Sequence, residues 1–170
     1  DEEARAILDE QIKNSASELK SDKLFLNSSS LIGTQLAFPA DDTTKGVYLK
    51  YFTLRNIGKN CEVWVANKLS FPAGDPRPDP VITDEQIQKV IDAYDNNIYQ
   101  KDTDFFGMPD SHTGENAALP GIMGWSQDYY KPVDGNERLI ILVDNIRDEN
   151  YYDSKYPFFV AGFYWGTIER

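Results

Sequence analysis

Residues 138–170 read RLIILVDNIRDENYYDSKYPFFVAGFYWGTIER, and the organisation of the chain can be built outward from them. Leu139-Ile140-Ile141-Leu142-Val143 is an uninterrupted apolar run, the pattern of a strand covered on both faces. A polar turn extends from Asp144 to Asp153. A second apolar segment, Phe158 to Trp165, reads as the last strand. Upstream, Cys61–Asn67 is a further strand, with Val63, Trp64 and Val65 apolar on both faces and hence interior. Between these strands lies a strong helix signal. Thr83 and Gln86 form a capping box, and Ile82 with Ile87 a hydrophobic staple. Ile87, Val90, Ile91, Tyr94 and Ile98 make one apolar stripe, and Gly107 with Pro109 closes the segment. Strand, helix and buried strand together are a βαβ unit, right-handed if the strands are parallel.

The rest of the chain divides around that unit. Ala4, Ile7, Leu8, Ile12 and Leu19 fall near one face of a helix over residues 1–20, and Asn27-Ser28-Ser29-Ser30 is a polar linker. Residues 1–30 therefore read as a separable helical arm. Gly33–Phe38 and Gly46–Asn56 are strands joined by the turn Asp41 to Gly46, and Ile57-Gly58-Lys59-Asn60 turns the chain into Cys61. These strands make a small antiparallel β unit over residues 31–71. Pro72, Pro76, Pro78 and Pro80 interrupt any regular element and mark the best domain boundary. Residues 81–170 form the α/β portion. Ser111 to Asp134 lacks periodicity and is rich in glycine, the mark of a long surface loop that is functional or mobile. The fold class is α+β or α/β.

Composition limits the function classes. Net charge is −11 over 170 residues, which argues against a nucleic-acid partner and against docking on anionic lipid. Such acidity suits an exported protein or one that uses carboxylates for calcium, and equally a merely solvated surface. No apolar run approaches the ~18 residues of a membrane-spanning helix. Cys61 is the sole cysteine, so no disulfide forms within the chain, and its strand context makes it a small buried hydrophobe. Asp1-Glu2-Glu3 reads as the start of a mature or trimmed chain, without a signal peptide.

The candidate chemistry concentrates after the buried strand. Asp144, Asp148, Glu149 and Asp153 offer hard oxygen ligands at spacings a turn can fold around one Ca²⁺. The competing reading is a turn held by Arg147 pairing with these acidic neighbours. Asp41 and Asp42, and Asp92 with Asp95, read as solvated rather than ligating. His112, beside Asp110 and Glu115, is the single histidine, and zinc sites draw on three or four protein ligands. The chain has no G-x-S-x-G, no phosphate-binding glycine motif and no H-E-x-x-H. A carboxylate pair of the glycosidase kind is open on residue type alone, with Tyr129, Tyr130, Tyr151, Tyr152 and Trp165 as stacking aromatics.

Four segments carry a resemblance: YLKYFTLRNIGKNCEVWVAN ending at Asn67, ITDEQIQKVIDAYDNNIYQKDTDFFGMPD, VDNIRDENYYD and YPFFVAGFYW. Together they resemble the stretch ahead of the active-site helix in secreted bacterial zinc metalloproteases of the immune-inhibitor-A-like kind. VDNIRDENYYD is the distinctive segment. The resemblance implies the upper lobe of a zincin: a twisted sheet with a backing helix, ahead of the H-E-x-x-H helix. It implies a non-catalytic N-terminal portion that supports that helix and shapes the substrate cleft. Phe159, Val160, Ala161, Gly162 and Phe163 would border the cleft. Zinc and a peptide or protein substrate would belong to the complete enzyme, and a second polypeptide could cover residues 158–165. The implied location is secreted or cell-surface. No zinc ligand or general base carries over to this chain. The alternative is an extracellular calcium-stabilised module that binds glycan or protein.

Overall fold

The structure, a computed structural model, describes residues 6, 9–13, 32–109, 113–132 and 134–164. It is an α+β fold around one four-stranded sheet. The strands are β1 (Gln35–Asp42), β2 (Gly46–Ile57), β3 (Cys61–Ala66) and β4 (Leu139–Val143), in that spatial order. β1 and β2 are antiparallel, as are β2 and β3, while β3 and β4 are parallel. The strands on either side of the proline-rich segment thus share a single sheet, and β1, β3 and β4 run in the same direction.

β1 is longer than its sequence signal, which stopped at Phe38. It continues through Pro39 to Asp42 because proline is tolerated on an edge strand, where its missing N–H faces away from the ladder. A register shift between Leu54 and Asn56 marks a bulge in β2. Arg55, the extra residue, reaches Asp84 on the next helix at 2.5 Å. β3 is interior, as its two-sided apolar pattern requires.

Helix α1 (Asp84–Ala93) begins as its sequence dictates. The Gln86 N–H donates to Thr83 Oγ1 and the Thr83 N–H to Gln86 Oε1, closing the capping box. Ile87 and Ile91 are 2% and 4% exposed and pack on Cys61, Val63 and Val65. Tyr94 is half-buried on the same cluster, and the expected stripe ends with it. A π-turn at Tyr94–Ile98 precedes α2 (Tyr99–Phe106), and Val90 and Ile98 are exposed. A π-turn inserts a residue into the helical period, which rotates Ile98 off the apolar face; Val90, ahead of the turn, lies at the margin of the stripe. The helical run ends at Gly107, as expected, but only its first part backs the sheet.

The opposite face of the sheet is aromatic. Phe38, Phe52 and Trp64 meet edge to face with ring centroids 5.3–5.8 Å apart, among Leu36, Leu54 and Ala66. Burial of Phe52 alone, 1% exposed, stabilises the fold by about 1.5–3 kcal/mol. A third cluster joins Val47 and Leu49 to Leu119 and to Ile12 of the N-terminal helical segment. The segment read as a separable arm therefore contributes to the core.

The aperiodic stretch before β4 is partly ordered into α3 (Ala118–Met123), which buries Leu119 and Pro120. It also caps β1. The Ala37 N–H donates to the Tyr129 hydroxyl at 2.9 Å, and the Tyr130 hydroxyl donates to the Ala37 carbonyl. Two tyrosines thus close the outer edge of the sheet, which blunts it as a template for further strands.

Two expectations fail around β4. The strand is not covered on both faces. It is the other outer strand, with Leu139, Ile140 and Leu142 at 41%, 40% and 37% exposure. An apolar run signals a need for cover and cannot supply its own neighbour. The described part of the last strand, residues 158–164, is not a strand at all. Its Val160 N–H is taken by a side chain, Asp148 Oδ2, at 2.6 Å, which removes it from any ladder.

Candidate functional site

The polar turn after β4 folds onto the carboxyl ends of β1 and β4, where sheets of parallel strands gather ligands. β1 delivers Asp42, β2 delivers Tyr48 and Lys50, and the turn delivers Asp144, Arg147 and Asp148. Helix α4 (Glu149–Tyr152) adds Tyr151 and Tyr152.

Asp42, 1% exposed, is the hub. Its Oδ1 accepts from the Thr44 N–H and hydroxyl at 3.1 and 2.8 Å, and its Oδ2 accepts from the Tyr152 hydroxyl. Arg147 Nη1 lies 3.9 Å from the same oxygen. Burial pushes this carboxyl up, but the hydrogen bonds from Tyr152 and Thr44 and the nearby Lys45 ammonium outweigh it and hold the group below the usual carboxylate range. The reading of Asp42 as solvated is corrected: the strand runs on past its expected end and carries the carboxylate under α4. The neighbouring Asp41 is half-buried and is pushed up by its desolvation and by Asp42.

Asp144 pairs with Lys50, the two side chains being 10% and 12% exposed. Burial pulls each towards its neutral form, Asp144 up and Lys50 down, and their mutual attraction opposes both shifts. The Asn145 N–H adds a 2.7 Å bond to Asp144 Oδ1. The Arg147 guanidinium stacks 4.1 Å from the Tyr48 ring centroid rather than pairing with its acidic sequence neighbours. Its carboxylate partner is Asp42, more than a hundred residues earlier. The Tyr48 hydroxyl is buried without a hydrogen-bond partner and is pushed well above the ordinary tyrosine value by desolvation.

The four calcium candidates do not converge. Asp148, 3% exposed, is the N-cap of α4: Oδ1 accepts from the Tyr151 N–H at 2.8 Å and Oδ2 from Val160. Asp153 Oδ1 accepts from the Lys155 N–H, Glu149 is exposed, and Asp144 belongs to Lys50. Among the described residues no group of three or more His, Cys, Asp or Glu side chains is placed to hold a metal. His112, Asp110 and Trp165 lie outside the described residues.

The cleft candidates form an open coil. Phe159 and Phe163 are 71% and 52% exposed, Ala161 and Gly162 are exposed, and Val160 is half-buried where Asp148 holds it. Two features escaped the sequence. One is the clamp of Arg77, whose guanidinium pairs with Asp75 at 2.6 Å, stacks on Phe71 and donates to the Asn150 carbonyl, tying the proline-rich segment to α4. The other is an open groove of about 400 Å³ beyond β3, lined by Arg55, Asn67, Lys68, Asp79 and Ile82 among others.

Chemically the cluster is self-neutralising. Asp42, Asp144 and Asp148 each hold a cationic, hydroxyl or N–H partner, and the ionic groups are covered. It joins the sheet to residues 144–160 through these ion pairs and hydrogen bonds. No family model and no curated protein matches the chain. Among the described residues no helix is long and apolar enough to cross a membrane.

Proposed function

We propose that this chain is the non-catalytic N-terminal portion of a secreted bacterial zinc metalloprotease, supporting the active-site helix and bordering the substrate cleft. One observation carries the reading. The VDNIRDENYYD segment folds into a rigid, self-neutralised junction, and directly beyond it Phe158, Phe159, Phe163 and Tyr164 stand 52–74% exposed. Aromatics presented this way by a fixed platform suit a surface completed by further polypeptide. In this reading that polypeptide carries the zinc ligands and general base, and Phe159 to Phe163 lie at its interface with the cleft. The mixed sheet with α1 on one face is the scaffold such an upper lobe needs.

The test is the coding sequence that continues past Arg170, together with the chain alone. The reading requires an H-E-x-x-H downstream, and purified 170-residue chain that neither hydrolyses casein nor retains stoichiometric zinc. A stop codon directly after Arg170, or zinc-dependent turnover by the chain itself, overturns it.

A further inference from the structure

We propose that the flank of the β1–β2 hairpin is a helix-docking site, which the chain fills reversibly with its own residues 9–13 and which takes the same helix when it is supplied in trans. The proposal does not rest on the protease reading. It starts where β2 runs out of neighbours. β3 pairs with β2 from Phe52 to Ile57, and the Asn67 N–H ends that pairing on the Tyr51 carbonyl at 2.9 Å. Val47 to Lys50 pair with β1 on one side. On their other side no strand lies among the described residues. The helical residues 9–13 take that place. The Val47 N–H donates to Gln11 Oε1 at 3.4 Å, and the Gln11 amide packs on Gly46, where a Cβ would come within 2.8 Å of Nε2.

The body of the fold builds the socket without help from the arm. Val47 and Leu49 are fixed by their register with Asp41 and Pro39 of β1. Leu119 comes from α3, and Met123, Trp125 and Tyr130 complete the wall. Tyr130 is itself held by the bond from its hydroxyl to the Ala37 carbonyl. Ile12, 3% exposed, enters this socket, while Glu10 and Lys13 of the same helix are exposed. One apolar face is inserted and the polar face stays in water, which is the helix-in-groove mode of recognition.

The hold is of a strength that opens. Among the described arm residues Ile12 is the buried apolar anchor, and burying one isoleucine biases docked against undocked by about ten- to hundredfold. The Gln11 bond lies at the outer limit of hydrogen-bond length and adds little. A short helix is marginal alone in water, so leaving the socket and losing the helix are coupled. The arm joins β1 through the polar stretch Asn27-Ser28-Ser29-Ser30, which reads as a linker. At an effective concentration of about 1 mM for a tethered segment, the same bias corresponds to a Kd of about 10–100 μM for the free helix. With the arm out, Val47, Leu49 and Leu119 present an apolar surface to an amphipathic helix, so the helix in cis gates the site.

Hydrogen exchange on the 170-residue chain, and fluorescence anisotropy with a labelled synthetic peptide of residues 1–20, test the proposal. The Val47 amide should exchange through local opening, faster than the amides of interior β3. Ile12→Asp speeds Val47 exchange about tenfold or more and leaves β3 unchanged. The peptide binds the Ile12→Asp chain with a Kd of about 10–100 μM, and the parent about ten- to hundredfold more weakly because the helix in cis competes. A peptide that itself carries Ile12→Asp binds neither. Ile12→Ala, the milder change, falls between parent and Ile12→Asp in both measurements. Val47 exchanging as slowly as β3 in the parent overturns the proposal by making the arm part of the global core. A chain that loses its cooperative unfolding transition with either variant overturns it in the same way. A folded Ile12→Asp chain to which the parent peptide does not bind shows that the site takes no helix in trans, and overturns it as well.

Discussion

Replacing Lys50 by methionine should destabilise the chain far more than removing a surface ion pair. The Lys50 and Asp144 side chains are 12% and 10% exposed, so solvent screens their interaction little. Methionine fills similar volume but leaves the Asp144 carboxylate buried without its cation. Breaking one partner out of a buried pair costs about 3–5 kcal/mol, against about 0–1 kcal/mol for an exposed pair. Asp144 keeps the Asn145 N–H at 2.7 Å and the field of Arg147, which places the expected loss near the lower end, about 3 kcal/mol. Over a domain of this size that lowers the melting temperature by roughly 6–12 °C. Urea unfolding measures it as a fall in midpoint at constant slope. The companion variant Lys50→Met with Asp144→Leu removes both charges. It should recover most of the loss and lie within about 1–2 kcal/mol of the parent, because desolvation and attraction nearly cancel in such pairs. A single-variant loss under about 1 kcal/mol would refute the reasoning, as would a double variant equal to the sum of the singles.

Asp42 sets the acid limb of stability. Its pKa is lower folded than unfolded, so its contribution is complete above the ordinary value of 3.8 and is lost as pH falls through the folded value. Asp42→Asn should flatten the fall in melting temperature in acid, below about pH 4, while costing stability at neutral pH, and an unchanged acid limb would contradict the role given to Tyr152 and Thr44. Gly58→Ala should cost about 1–3 kcal/mol in chemical denaturation, because a Cβ there would sit 2.5 Å from Asp95 Oδ2 and 2.7 Å from Ile91 Cγ2. The same Asp95 accepts the N–H groups of Lys59 and Asn60, so Asp95→Ala relieves only the Asp95 part of the clash, leaves the contact with Ile91, and should itself cost about 1.5–3 kcal/mol. Millimolar calcium should leave the melting temperature where chelator leaves it, since Asp148 and Asp144 already serve the fold. A stabilisation approaching the ~2.7 kcal/mol expected at a hundredfold excess over Kd would restore the turn as a calcium site.

The local chemistry of the chain was legible without its structure wherever a few consecutive residues settle the matter. The capping box at Thr83 and Gln86, the stop at Gly107, the two-sided strand at Val63-Trp64-Val65 and the βαβ order are decided by propensity, period and hydrogen bonds between near neighbours. The place of the candidate site was legible too, as a polar cluster after an apolar strand. Its wiring was not. Asp144 turned to Lys50 and Arg147 to Asp42 and Tyr48, partners 94 or more positions away that only strand pairing brings within reach. The π-turn at Tyr94–Ile98 is equally non-local: Asp95 leaves the helical period to bind the turn between β2 and β3. The apolar run Leu139–Val143 and the aromatics of residues 158–164 state how much surface needs cover. Whether a strand is interior or outermost depends on what lies beside it, and hydrophobicity alone carries no record of that neighbour.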